Sequence, residues 1–154
     1  MADMLIRLYA LPPADTAAPG LVLRKPIGPE ADVVVDWVRA TFGAGWASEA
    51  RVALGNRPAT LVVATDTEGL AGFCAFDATA RGFVGPIGVR PSAQRGGIGA
   101  ALLRAALQDM RAAGYGYAVA GAVGAPGFFA RVAGATEIAG SAPGLYAGLL
   151  RPQP

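Results

Sequence analysis

The sequence predicts a mixed α/β fold, and three observations carry that prediction. First, β-rich runs lie at Thr60–Thr65 and Gly69–Phe76, with the hairpin signal Asp66-Thr67-Glu68-Gly69 between them. Second, past a turn, Ile98, Leu102, Ala106 and Met110 recur every fourth residue beside Leu103 and Leu107, while Arg104, Gln108 and Arg111 take the opposite side, as in an amphipathic helix. Third, a glycine-rich turn joins an apolar segment, Gly82–Val89, to that helix, and beyond a stop at Gly114 the segment Tyr115–Gly121 is again extended and apolar. The centre of the chain therefore reads strand, glycine turn, helix, strand.

A length of 154 residues favours one domain over 1–154 with a substantial core. Hydrophobic residues make up 53 % and charged ones 16 %, which describes a compact globular protein and not a disordered one. The apolar surface this leaves is compatible with a homodimer. The net charge is only +2 and the basic residues are scattered, so no nucleic-acid partner is expected. Histidine is absent and Cys74 is the only cysteine, which excludes an intramolecular disulfide, a Cys/His zinc site and imidazole catalysis; no metal is expected. Any proton carrier must be a carboxylate, a tyrosine or water. Cys74 lies among apolar residues and is expected in the core. With no basic head before an apolar run and no stretch of about 18 apolar residues, neither a signal peptide nor a membrane span is expected, and the predicted location is cytoplasmic.

In chain order, Leu5–Leu11 reads as a first strand, Pro12–Pro19 breaks regularity, and Leu21–Lys25 is either a continuation or a loop. Pro29-Glu30-Ala31-Asp32 opens a helix through Val33, Val34, Trp37 and Val38 that ends near Gly43. A second short helix begins at Gly45–Arg51 and closes by Asn56–Pro58. After the hairpin, Asp77 ends a strand and is a candidate to face a cleft. In Gly82–Val89, Pro86 cannot donate to a strand ladder, which predicts a bulge or gap in pairing, or else an edge position. Ala125–Ala135 is a further helix, and Thr136–Gly140 and Gly144–Leu150 read as two final strands around Ser141-Ala142-Pro143.

The glycine turn carries the chemistry. Gly96, Gly97 and Gly99 lack Cβ atoms, so the backbone can take positive φ and approach a ligand, and the first N–H groups of the helix have no intrahelical acceptors. Such donors at a positive helix end suit a pyrophosphate. A P-loop would need Lys and Ser or Thr after Gly99, where Ala100 and Ala101 stand. A dinucleotide fingerprint would need a small residue at Leu102 and an acid ending the next strand, and has neither. A turn that binds nothing is the remaining alternative.

Gln94, Gly97 and Gly99, following an apolar strand and opening a helix, resemble the acyl-CoA signature of the GCN5-related N-acetyltransferases. Ala125-Pro126-Gly127-Phe128-Phe129-Ala130-Arg131-Val132-Ala133-Gly134-Ala135 resembles the same family's Phe-Tyr helix near the carboxyl end, and the order and spacing of the two motifs both fit. The resemblance implies a mixed, mostly antiparallel sheet flanked by helices, with a splayed strand pair holding acyl-CoA. It implies acetyl-CoA as donor and a small primary amine as acceptor, joined by direct attack on the thioester. By the same resemblance, Ile87, Gly88, Val89, Gln94, Arg95, Gly96, Gly97, Ile98, Gly99, Ala100 and Phe129 are the donor-binding residues. Phe42, Trp46 and Glu49 are then candidates for the acceptor site, and Glu49 and Asp77 for the base. One departure stands out: Phe129 occupies the place of the family's tyrosine and has no hydroxyl. Tyr146, Tyr115 and Tyr117 are possible substitutes, of which Tyr146 is preferred. The departure keeps two other readings open, a non-catalytic acyl-CoA sensor and a structural or interaction domain.

Overall fold

The computed structural model describes residues 1–14 and 20–154. The irregular stretch expected over 12–19 therefore lies in part outside the described residues. Seven strands, β1 (Met4–Arg7), β2 (Val22–Arg24), β3 (Leu61–Asp66), β4 (Gly69–Phe76), β5 (Phe83–Val89), β6 (Tyr117–Ala120) and β7 (Thr136–Glu137), form one sheet in the order β2-β3-β4-β5-β6-β1-β7. Every neighbouring pair is antiparallel except β5 and β6. No helix among the described residues is long and apolar enough to cross a membrane.

Helices cover both faces of the sheet. On one side lie α1 (Ala31–Phe42) and α2 (Ala44–Gly55), separated by Gly43 at φ 104°, a conformation that favours glycine. They bury Val34, Val35, Val38, Ala47, Ala50 and Ala53 against Leu61, Val63, Phe73 and Ala75. Val33 is 60 % exposed, and the buried stripe of α1 runs through Val34, Val35 and Val38. On the other side α3 (Ile98–Ala112) and α4 (Pro126–Ala133) pack Leu102, Leu103, Ala106, Leu107 and Met110 with Cys74, Phe76 and the inner residues of β1 and β6. Along β4 the alternation of Phe73 and Ala75 with Cys74 and Phe76 feeds the two cores in turn. A 3₁₀ turn at Gly28–Glu30 starts α1, where Glu30 accepts the Ile27 N–H at 2.8 Å and pairs with Arg24 at 2.7 Å.

Three elements differ from the sequence expectation. The first strand stops at Arg7, and Leu8–Ala10 turn as a 3₁₀ segment whose Leu8 N–H bonds to Gly116 O. That strand, β1, is inserted between β6 and β7, pairing Met4 with Ala120 and with Glu137. At the other end Thr136–Gly140 shrinks to a two-residue strand, and Gly144–Leu150 is no strand: Gly144–Tyr146 is a 3₁₀ turn. The position next to β6 is already filled by β1, so the end of the chain has no free ladder there to join.

The close approach of α3 to the sheet depends on Gly72. A Cβ added there would lie 2.7 Å from Leu102 Cδ1 and 2.8 Å from the Gly88 carbonyl oxygen, a backbone atom that cannot swing aside. Gly72→Ala is expected to cost about 1–3 kcal/mol, read as a lower urea midpoint at unchanged slope.

Candidate active site

The cleft opens because β5 and β6 stop pairing. They are joined only at Phe83 with Val119 and Val84 with Ala120. On the β5 side the register with β4 shifts between Cys74 and Phe76, opposite Gly85 and Pro86, so the gap that Pro86 predicts is present. On the β6 side the chain is drawn away by the amino-terminal segment. The Ala122 N–H donates to Asp3 Oδ1 at 2.8 Å, and the Val123 N–H donates to Ala2 O at 2.9 Å. Ala122 holds φ 46°, an uncommon left-handed conformation for alanine, where this clamp bends the strand end. Between the diverging chains lies a cavity of about 1040 Å³.

One end of the cavity is the glycine turn. Val89, Gln94, Arg95, Gly97, Gly99, Ala100, Phe128 and Arg131 line it. Gly97 is the N-cap of α3 at φ 76° and no side chain caps the helix, so the N–H groups of the first turn remain available. Upstream, Arg90 anchors the end of β5: its guanidinium bonds to Asp66, to Glu68 at 2.8 Å and to the Leu70 carbonyl at 2.9 Å. Gln94 Nε2 reaches back to Val89 O at 3.3 Å, closing the turn. Arg131 lies 5.9 Å from the centre of the Phe128 ring, and Phe128 in turn stands over Gly99.

The other end is formed by Trp46, Glu49, Thr79, Gly121 and Tyr146. The Thr79 hydroxyl donates to Glu49 Oε1. Burial, then the charges of Glu49 and Asp3, raise the Tyr146 hydroxyl above the ordinary phenol range, with Thr79 acting the other way. Tyr146 thus stays protonated at neutral pH. Its approach requires Gly121, where a Cβ would collide with the hydroxyl. The turn carrying Tyr146 is held by the same amino-terminal clamp: the Asp3 N–H donates to Ser141 Oγ at 2.8 Å, and Asp3 O accepts the Ile138 N–H at 2.8 Å.

Of the donor-binding residues expected from the sequence, Ile87, Gly88, Val89, Gln94, Arg95, Gly97, Gly99, Ala100 and Phe129 line the cavity. Gly96 and Ile98 do not; the Ile98 side chain turns into the core, where it anchors the start of α3. Of the residues expected at an acceptor site, Glu49 and Trp46 line the cavity, but Phe42 does not; it fills the space over Gly88, where a Cβ would meet its ring at 2.6 Å. Phe42 is a member of an aromatic cluster with Trp37, Trp46 and Phe73. Asp77 is not at the cavity: it accepts the Gly82 N–H at 2.8 Å and the Tyr115 hydroxyl at 2.6 Å, ordering the turn before β5. That bond occupies Tyr115, and Tyr117 meets Tyr9 at 3.3 Å on an exposed face. Tyr146 alone of the three tyrosines reaches the cavity. Phe129 lines it without a hydroxyl, its ring edge-on to Phe128 at 5.3 Å. Sequence reasoning missed Asp3, Thr79 and Gly121. Cys74 is fully buried and burial pushes its thiol far up, so thiol reagents are expected to leave the native protein unlabelled and to react only on unfolding.

Comparison with known proteins accords with this geometry. Among solved structures the fold is similar to a GCN5-related N-acetyltransferase from Sphaerobacter thermophilus, 23 % identical with a TM-score of 0.70, over 89 % of this chain and 48 % of that one. It is also similar to a GCN5-related glucosamine N-acetyltransferase region of a fungal multi-domain GH3 beta-N-acetylglucosaminidase, 13 % identical with a TM-score of 0.69, over 89 % of this chain and 19 % of that one. The chain thus spans less than half the length of either. No curated protein matches the sequence. Residues 31–134 match the Acetyltransferase (GNAT) family, a span that contains the glycine turn, both cleft strands and α4. The chain belongs to that family.

Proposed function

We propose that residues 1–154 act as a single acetyl-CoA-dependent N-acetyltransferase domain that acetylates the primary amine of a small acceptor. The observation that carries this reading is one cavity with an uncapped helix start at one end and a carboxylate, a threonine and a protonated tyrosine at the other. The glycine turn fits the donor's pyrophosphate: Gly97 is left-handed with nothing within 4 Å of an added Cβ, and Gly97, Gly99 and Ala100 line the cavity at a helix start that no side chain caps. Gln94, Arg95, Gly97, Gly99 and Ala100 would hold the pyrophosphate, with the pantetheine arm along Ile87–Val89 and against Phe129. Bound there, acetyl-CoA supplies an activated acyl group open to attack by a neutral amine.

The chain's own groups then have distinct tasks. Glu49 accepts, directly or through water, the proton that the acceptor ammonium must lose. Thr79 fixes the Glu49 carboxylate by its hydrogen bond. Tyr146 would return a proton to the departing sulfur, the task that Phe129 lacks the hydroxyl to perform. Asp3 positions both Ala122 and the turn bearing Tyr146. Placing the two reactants together contributes to the rate independently of these groups.

The test is incubation of the purified protein with isotopically labelled acetyl-CoA and a broad amine mixture, followed by mass spectrometry for protein-dependent labelled products. A labelled amide is the expected result. Binding of acetyl-CoA without any product would favour the second reading, an acyl-CoA sensor, for which Phe129 is the specific observation.

A further inference from the structure

The two ends of the cavity carry opposite charge. Among the described lining residues the cations are Arg95 and Arg131, both at the glycine turn, and the one carboxylate is Glu49. Arg95 is part of the turn itself, and Arg131 is tied to it through Phe128, whose ring lies 3.6 Å from a Cβ position on Gly99. Among the described lining residues, no cation stands beside Glu49. Next to that carboxylate, Trp46 keeps 37 % of its surface exposed while its ring is braced by Phe42 at 5.2 Å and Phe73 at 6.1 Å. The remaining walls there are Gly121, Thr79 and the Tyr146 ring.

Resting on the acetyl-transfer reading, we infer that the acceptor is a monoamine on an uncharged apolar or aromatic body, with no carboxylate or phosphate near its nitrogen. Its ammonium meets Glu49 in a charge-assisted hydrogen bond, and its body lies against Trp46, whose ring face attracts a cation and an apolar chain alike. An acidic group beside the amine would face Glu49 with no cation to receive it, and like charges in a cleft are excluded strongly. An acceptor acid reaching the other way would meet the arginines only by occupying the donor's phosphate end. The same carboxylate that selects the charged amine is the group that takes its proton.

The experiment compares 2-phenylethylamine with phenylalanine, which differ by one carboxylate, using the full chain and acetyl-CoA. Phenylethylamine is expected to be acetylated with kcat/KM at least about tenfold above phenylalanine. A binding readout separates recognition from proton transfer: phenylethylamine should quench tryptophan fluorescence of the CoA-loaded protein, and Glu49→Gln should weaken that binding about tenfold or more. The uncharged analogue 2-phenylethanol should bind wild type and Glu49→Gln alike. Equal or better use of phenylalanine, or unchanged amine affinity in Glu49→Gln, would overturn the acceptor class while leaving acetyl transfer standing. Absence of acetyl-CoA binding would remove the acetyl-transfer reading, and the acceptor class with it.

Discussion

Gly99→Glu is expected to lower acetyl-CoA affinity at least 100-fold, about 2.7 kcal/mol, while leaving the melting temperature unchanged or slightly higher. The fold makes no demand for glycine at this position. A Cβ there would meet Phe128 at 3.6 Å and Val89 at 3.7 Å, which is ordinary packing contact. A carboxylate in the first turn of α3 also interacts favourably with the positive helix end, and any residue other than proline costs the helix less than glycine. The new side chain would therefore satisfy the donors that a phosphate is proposed to use, and its charge would repel one. Isothermal titration with acetyl-CoA, beside thermal melting of the same preparation, reads both effects. Unaltered affinity in Gly99→Glu would sink the cradle assignment.

Tyr146→Phe is expected to reduce kcat by about 10²–10⁴-fold with little change in acetyl-CoA affinity, the range for loss of a positioned acid. Gly121→Ala should reproduce much of that loss without touching the tyrosine, because its methyl would occupy the space of the Tyr146 hydroxyl and press on Phe83 at 3.0 Å. If both act through one hydroxyl, the double variant will be scarcely worse than the worse single variant, which is the signature of a shared step. The raised pKa sets the pH behaviour. Proton donation needs the neutral phenol, so the loss of kcat due to Tyr146 should fall on the alkaline side, above the ordinary value of 10.0. Additive losses in the double variant would separate Gly121 from the tyrosine and return it to a packing role.

Much of the cavity was legible because its parts are local in sequence. The glycine turn and α3 follow from spacing within Gln94–Met110, and Pro86 marks the strand irregularity by what its ring cannot do. The end of the cavity around Glu49 and Tyr146 was only partly legible, since its members meet through contacts of long sequence separation. Glu49 and Thr79 are 30 positions apart, and Asp3 and Ala122 are 119 apart. Asp77 illustrates the limit: a carboxylate after a strand is equally suited to a cleft or to a turn, and its bonds to Gly82 and Tyr115 decide for the turn. The packing of Phe42 on Gly88, outside the cavity lining, was not legible for a related reason. An aromatic residue at a helix end gives no sign of whether it meets solvent or the Cβ-free backbone of Gly88. The final strands were overread because apolar alternation cannot reveal that another segment has taken the ladder.

That segment is β1, and its place in the sheet has a consequence for how the protein comes to be made. Of the strands, β1 leaves the ribosome first, yet its partners are Tyr117–Ala120 and Thr136–Glu137, more than 100 residues later. Local hairpins such as β3–β4 can close during synthesis, whereas β1 must wait, unpaired, until β6, more than 100 residues later, has emerged. Residues 2 and 3, which draw Ala122 and Val123 away from β5, arrive with it. The cleft therefore acquires its shape only after β6 and the residues just beyond it have emerged, and no shortened translation product ending before β6 can possess it.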